Sequence, residues 1–176
     1  QDEGGEEDVA SLSRASSGFS GMGSTAWSKF STLPRPSPRS GSVSVGIGRS
    51  SITAQPSNNF SIDYKIDFED PAIGVQNQKI TNFGSNFDKE ISSARTFGML
   101  DEVQYMHENG LALGGSMDNA IVVDNGKVLN PEGLRFKDEF VRHKILDLCG
   151  DIYLCGKHLI GSISAVCAGH EINNKF

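Results

Sequence analysis

The residues of this chain whose types and spacing could do chemistry lie in one predicted helix. His143, Asp147 and Asp151 follow one another at intervals of four, and residues four apart share one face of an α-helix. An imidazole and a carboxylate at this spacing can both reach one Zn²⁺, and a second carboxylate behind them can orient a neighbouring group. The same spacing is common on solvated helix faces and beside capped core histidines. The spacing alone therefore leaves metal binding open.

The segment around this row has the apolar pattern of a helix with one buried face. Apolar residues recur at steps of three and four between Phe136 and Ile152, which is typical of an amphipathic helix. Asp138 and Glu139 fall in the predicted first turn, where carboxylates suit the positive end of the helix dipole. Cys149 lies on the apolar side and is predicted to be a core residue.

The other elements predict an α+β domain of two layers, a mixed sheet packed on helices. Residues 60–68 alternate apolar and polar side chains, which indicates a half-buried strand, and a second strand is predicted at 79–83 with a turn at 84–86. Later patterns predict a short helix from Leu100, a strand-turn-strand at 120–129, a strand at 160–166 and a final helix near His170. From the residues alone, His170 serves equally well as a third metal ligand or as a proton donor.

Composition separates a tail from the folded part. Residues 1–50 begin with an acidic run, are rich in Ser, Gly and Pro, and have isolated aromatic residues at Phe19, Trp27 and Phe30, so they are predicted to be a disordered tail before a domain at 51–176. A partner-binding tail is the alternative. The net charge of −6 argues against nucleic acid as a partner. No apolar run is long enough for an integral membrane segment, and the three cysteines without a CxxC pair favour reduced thiols in the cytoplasm.

Five motifs carry a resemblance to a known family. They are residues 94–98 (ARTFG), 114–124 (GGSMDNAIVVD), 138–147 (DEFVRHKILD), 150–154 (GDIYL) and 169–174 (GHEINN). In this order they resemble the bacterial UDP-3-O-acyl-N-acetylglucosamine deacetylases of lipid A synthesis, over about residues 51–176 and the C-terminal half of the family. The resemblance implies zinc-dependent hydrolysis of the N-acetyl group of the UDP-linked sugar, in the cytoplasm of a Gram-negative bacterium.

The resemblance also implies a role for each candidate. His143 and Asp147 are expected to be two of the three protein ligands of Zn²⁺. His170 is expected to support the oxyanion and protonate the leaving amine, with Asp151 holding its imidazole. Thr96 is expected to donate its hydroxyl to the scissile carbonyl.

Substrate contacts follow from the same resemblance. Lys144 is expected to contact the phosphate or sugar of UDP-3-O-acyl-N-acetylglucosamine, and Asp67 and Phe68 to meet its uracil. Residues 99–122 resemble a strand-helix-strand insert that forms an apolar passage for the acyl chain. The passage residues are Leu100, Val103, Ala112, Met117, Ala120 and Val122. Without the resemblance, Lys144 is a solvated charge, Thr96 a turn residue and the apolar set ordinary core.

Two departures from the family pattern bear on activity. The family commonly has a lysine that meets the nucleotide diphosphate where this chain has Cys167. The third zinc ligand and the catalytic glutamate come from the N-terminal half, whereas residues 1–60 contain no histidine. We therefore expect weak zinc binding and no turnover by this chain alone, with a separate N-terminal half as a partner. The alternatives are a non-catalytic module that binds an acyl chain or nucleotide sugar, and a degenerate remnant of the enzyme.

Overall fold

A five-stranded mixed sheet forms the base of the domain. The computed structural model describes residues 41–157 and 159–176. The strands of this sheet are β1 (Val43–Ile47), β2 (Ser50–Gln55), β3 (Ser61–Asp67), β4 (Val75–Ile80) and β8 (Ser162–Val166). Their order is β1-β2-β8-β3-β4, in which β3 and β8 are parallel and the other neighbours are antiparallel.

One face of this sheet is apolar because side chains alternate along its central strands. Ile62, Tyr64 and Ile66 of β3 are buried, as are Ile163 and Ala165 of β8. Successive residues of a strand point to opposite faces, so these side chains lie on the face toward the helices. The predicted half-buried strand is confirmed.

The described part of the chain contains four helices: α1 (Phe83–Glu90), α2 (Leu100–Glu108), α3 (Glu139–Tyr153) and α4 (His170–Lys175). α3 lies against β3 and β4, and α4 lies against α3, β1 and β2. Phe140, Ile145 and Leu148 of α3 are fully buried, and Cys149 is nearly so. The predicted apolar stripe and the α+β fold class are thereby confirmed. Among the described helices, none has the length and apolarity to cross a membrane.

The predicted strand-helix-strand insert is also present. β5 (Thr96–Met99) and β6 (Ala120–Asp124) are parallel neighbours with α2 between them in the chain, and β7 (Lys127–Val128) pairs antiparallel with β6. Asn125 and Gly126 turn the chain between β6 and β7 with φ of 47° and 75°. Positive φ at both central residues is what a two-residue hairpin turn of type I′ requires.

The folded domain begins before residue 50, so the predicted boundary is wrong. β1 lies entirely within the predicted tail, and its side chains are exposed or half-buried. Val43, Val45 and Ile47 alternate with Ser44 and Gly46, a strand pattern that the predicted boundary did not use, and main-chain pairing with β2 runs in the register Val43↔Ala54 to Ile47↔Ser50. The rest of the predicted tail, residues 1–40, lies outside the described residues.

Helix α1 replaces the predicted turn at 84–86, and the preceding strand ends at Ile80 rather than at residue 83. Gly, Ser and Asn disfavour helix in isolation. Here Asn82, with φ of 52°, redirects the chain, and Phe83 and Phe87 on the same helix face are both buried. Burial of the two aromatic side chains outweighs the local propensity.

Candidate active site

The chemically capable residues meet where α3, α4 and β5 come together. His143, Lys144, Asp147 and Asp151 project from one side of α3, and His170 is the first residue of α4. Their side chains are shielded: Lys144 retains 12% exposure and Asp147 only 7%. Lys144 is therefore not the solvated surface charge that is expected without the family resemblance.

His143 and Asp147 present two donor atoms to one point. Nε2 of His143 is 3.1 Å from Oδ1 of Asp147, and Nδ1 of His143 is 3.1 Å from the carbonyl oxygen of Ala94. Because a carbonyl only accepts, Nδ1 carries a hydrogen, and Nε2 is the ring atom that faces Asp147 and could bind a metal through its lone pair. Two donors at this separation match one edge of a tetrahedron around zinc, whose bonds to N and O are about 2.0–2.1 Å. The two residues therefore fit zinc as a pair of ligands.

Asp147 is ionised although it is enclosed. Burial acts to raise its pKa, but the charge and hydrogen bond of His143 act against burial, helped by the charges of Lys144 and His170. Nζ of Lys144 and Nε2 of His170 lie 3.7 Å and 3.9 Å from Oδ2 of Asp147. Together they hold the pKa of the Asp147 carboxyl well below its usual range. An ionised carboxylate is the form that binds a divalent cation.

His170 is held as a proton donor. Its Nδ1 is 2.7 Å from Oδ2 of Asp151. This hydrogen bond raises the pKa of His170, burial opposes the rise, and the charges of Asp147 and Asp151 add to it. A cationic imidazole suits general-acid chemistry and is a poor metal ligand. The surroundings of His170 therefore favour the role of proton donor over that of third metal ligand.

Thr96 carries an unpaired hydroxyl on β5. Its Oγ1 is buried and has no hydrogen-bond partner within the described part of the chain. The ring of Phe97, the next residue, is 6.4 Å from the imidazole of His143. A buried hydroxyl without a partner is costly in a folded protein, and such a group is suited to meeting a ligand oxygen.

A buried ion pair that the sequence analysis missed joins β5 to the start of α3. The fully buried carboxylate of Glu139 accepts hydrogen bonds from the main-chain N and Nε of Arg95, both at 3.0 Å, and from its Nη2 at 3.2 Å. Burial acts to raise the pKa of Glu139, but the bonds from Arg95 and Arg135 outweigh it and lower that pKa. Arg95 lies between Ala94, which contacts His143, and Thr96 in the sequence. The pair therefore fixes two parts of the site.

Two of the residues predicted to contact the substrate's phosphate or uracil, Lys144 and Phe68, lie against the ring of Phe97. Nζ of Lys144 lies 5.7 Å from the centre of the Phe97 ring, and the Phe68 ring packs edge-on against it at 5.6 Å. Asp67 is exposed at the end of β3, and its carbonyl oxygen accepts a hydrogen bond of 2.8 Å from Nη2 of Arg49. Lys144 and Phe68 thus border the same aromatic ring, and Asp67 extends outward from it.

The predicted passage residues all lie on or beside the insert, with differing exposure. Val122 is buried and Met117 is 39% exposed, while the other four are half-buried. Leu113, which the sequence analysis did not single out, is 74% exposed on the same insert. Asn130, also missed, ties the insert together: its Oδ1 accepts from the main-chain N of Val122, and its Nδ2 donates to the carbonyls of Met117 and Ala120.

Cys167 is held by its main chain at the end of β8. Its N–H donates to the carbonyl of Lys65 at 2.8 Å, and its carbonyl accepts from Oγ of Ser50 at 2.6 Å. Its φ is 45°, so the residue adopts a left-handed conformation three positions before His170.

The described residues contain no group of three metal-binding side chains. His143 and Asp147 supply two donors, whereas a catalytic zinc site has three protein ligands. The pair fits the metal in chemistry and separation, and a complete site needs a further ligand.

Comparison with known families identifies the chain. It matches the family model of UDP-3-O-acyl N-acetylglycosamine deacetylase over residues 33–176, more than four-fifths of its length. The match begins ahead of β1, which agrees with the early start of the folded domain, and it includes every candidate residue named above. The chain belongs to the UDP-3-O-acyl N-acetylglycosamine deacetylase family.

Proposed function

We propose that this chain carries the C-terminal part of the active site of a zinc-dependent deacetylase that acts on UDP-3-O-acyl-N-acetylglucosamine in lipid A synthesis. The observation that carries the proposal is the convergence of two donor atoms 3.1 Å apart, on His143 and Asp147, with the imidazole of His170. Family membership supports the deacetylase activity, and the donor set supports the metal.

His143 and Asp147 would hold the metal. A zinc ion bound there would supply a water of lowered pKa and a Lewis acid for the acetyl carbonyl. The hydrogen bond from Nδ1 of His143 to the carbonyl of Ala94 keeps the ring oriented with Nε2 toward Asp147. Asp147 contributes a carboxylate that stays ionised at neutral pH.

Thr96 and His170 would act on the amide. The unpaired Oγ1 of Thr96 would donate to the acetyl oxygen, and this bond would strengthen as that oxygen becomes negative. His170, cationic because of Asp151, would add its charge to the oxyanion and then protonate the leaving nitrogen. Water adds to the acetyl carbon, the C–N bond breaks, and acetate and the free amine leave.

The remaining residues would hold the substrate. Lys144 would meet a phosphate or sugar oxygen, and Phe68 and Asp67 would meet the uracil, because they lie around and beyond the Phe97 ring next to the metal pair. The insert would take the acyl chain between its apolar side chains.

The proposal includes a second component. Two donors make a weak zinc site, and the loss of a general base lowers the rate by about 10²–10⁴-fold. We therefore propose that this chain alone binds zinc weakly and does not turn over, and that an N-terminal half supplies the third ligand and the catalytic glutamate. The expected location is the cytoplasm of a Gram-negative bacterium.

The test is deacetylation of UDP-3-O-acyl-N-acetylglucosamine by the chain with zinc, with and without an added N-terminal half of the family. We expect release of acetate only from the combination, and its abolition by His170→Ala with retention of bound zinc. Turnover by this chain alone would show that it contains a general base that we have not assigned. No turnover by a folded combination would refute the enzymatic proposal.

A non-catalytic module that binds the nucleotide sugar or its acyl chain is the second candidate. The observation that favours it is that no three metal-binding side chains of the described residues form a group that could hold a metal ion. This candidate predicts saturable binding of the UDP-sugar by the chain alone, with no effect of zinc on affinity. Binding that depends on zinc would favour the enzyme.

A further inference from the structure

Asn173 lies beneath the His170–Asp151 pair and contacts the same carboxylate oxygen as the histidine. The residue is 4% exposed. Its Nδ2 is 2.9 Å from Oδ2 of Asp151, and Nδ1 of His170 is 2.7 Å from that same oxygen. One oxygen atom therefore receives a donor from the imidazole and a donor from the amide.

The other end of the Asn173 amide is unsatisfied. Its Oδ1 is buried and has no hydrogen-bond partner among the described residues. The reverse orientation of the amide would place Oδ1 against Oδ2 of Asp151, and two acceptors repel. The ionised carboxylate therefore selects the orientation that leaves the carbonyl unpaired. A residue chosen only for packing would not bury a free carbonyl, since an apolar side chain of similar size would fill the space without that loss.

The amide limits how the Asp151 carboxylate can rotate. A carboxylate with a single donor can turn about its χ2 bond and follow the imidazole. With two donors on Oδ2, one from His170 and one from Asn173, the oxygen has one position that satisfies both. The imidazole of His170 then has one orientation, with the hydrogen on Nδ1 and with Nε2 facing Asp147 at 3.9 Å.

We propose that Asn173 is a positioning residue that fixes the Asp151 carboxylate and, through it, the tautomer and orientation of His170. The catalytic meaning of this role rests on the function proposed above, but the positioning itself does not. The residue acts through Asp151 and does not touch the reacting atoms.

The tautomer of His170 can be read by NMR in the chain as it is, with ¹⁵N-labelled histidine and at a pH at which the rings are neutral. We expect the wild type to show hydrogen on Nδ1 of His170. In Asn173→Ala the Asp151 carboxylate can turn away from His170, so the ratio of the Nδ1–H to the Nε2–H form should fall, by about tenfold where the hydrogen bond from His170 to this charged group is lost. Asn173→Leu, which fills the space without a donor, should give the same fall without a cavity.

Two controls separate positioning from folding. Asn174→Ala removes the same side chain from the next, exposed position of α4 and should leave the ratio unchanged. His143 is an internal reference, because its Nδ1 faces the carbonyl of Ala94 rather than Asp151.

An unchanged ratio in both Asn173 variants would overturn the inference. Loss of the His143 signal together with that of His170 would also overturn it, since Asn173 would then maintain the fold rather than the carboxylate. The experiment needs neither zinc nor substrate. If the tautomer ratio changes as expected but the reconstituted enzyme is inactive, the proposed function is refuted. The positioning role of Asn173 would still stand.

Discussion

Replacing Glu139 with Gln should strongly destabilise the domain. The change removes the negative charge from a carboxylate that is fully buried and accepts three hydrogen bonds from Arg95. Removing one partner of a buried ion pair costs about 3–5 kcal/mol. Arg95 keeps its contacts with the half-exposed Glu132 and the carbonyl of Gly133, and Gln retains one acceptor. We therefore expect the low end, about 3 kcal/mol, which lowers Tm by about 10 °C for a domain of this size.

Urea denaturation followed by circular dichroism measures this loss, and Glu90→Gln is the matched control. Glu90 also faces an arginine, Arg142, but at 3.7 Å and with 37% of its side chain exposed. An exposed pair contributes at most about 1 kcal/mol. A loss below about 1 kcal/mol in Glu139→Gln, or a loss equal to that of the control, would contradict the assignment of the buried pair as the link between β5 and α3.

The contribution of Glu139 to stability should also depend on pH, in a direction that follows from its pKa. The pKa of Glu139 is lower in the folded chain than its ordinary value. Its contribution is therefore fully present above the unfolded pKa of about 4.3 and is lost as the pH falls through the lower folded pKa. The stability difference between the wild type and Glu139→Gln should be constant near neutrality and shrink below about pH 4. A difference that grows on acidification would show the opposite shift.

Three further substitutions separate structure from chemistry. Thr96→Val removes a hydroxyl that has no hydrogen-bond partner among the described residues, so the reconstituted enzyme should lose about 10²–10³-fold in kcat without loss of stability. A lowered free energy of unfolding in this variant would mean that the hydroxyl serves the fold. Gly161→Ala would bring a Cβ within 2.8 Å of the carbonyl oxygen of Gln55 and should cost about 1–3 kcal/mol in urea, whereas Gly114→Ala, with open space around it, should not. Cys167→Lys should tighten binding of UDP about tenfold by restoring a charged donor, measured by calorimetry; unchanged affinity would place the diphosphate elsewhere.

The features that follow from short-range sequence patterns could be predicted. The stripe of α3 recurs every three or four residues, and the approach of His143 to Asp147 is a direct result of helical spacing. The turn at Asn125-Gly126 needs only the two residues that tolerate positive φ. Each of these is decided within a few residues of the chain.

The features that depend on distant partners could not be predicted. α1 forms because Phe83 and Phe87 find a core, whereas β1 pairs with the adjacent β2, and its alternation of Val43, Val45 and Ile47 was a local signal that the predicted boundary did not use. The contact of Glu139 with Arg95 joins residues 44 positions apart, so no periodicity reveals it. An arginine within a motif of small and apolar residues was the one available signal for that pair.

Zinc titration of the chain alone, by calorimetry, tests most directly whether His143 and Asp147 share one cation. We expect His143→Ala and Asp147→Ala each to weaken zinc binding at least about tenfold, since each removes one of two ligands, and His170→Ala to leave it unchanged. Equal weakening by His170→Ala would make that histidine a ligand. Unchanged binding in His143→Ala would contradict the metal site itself.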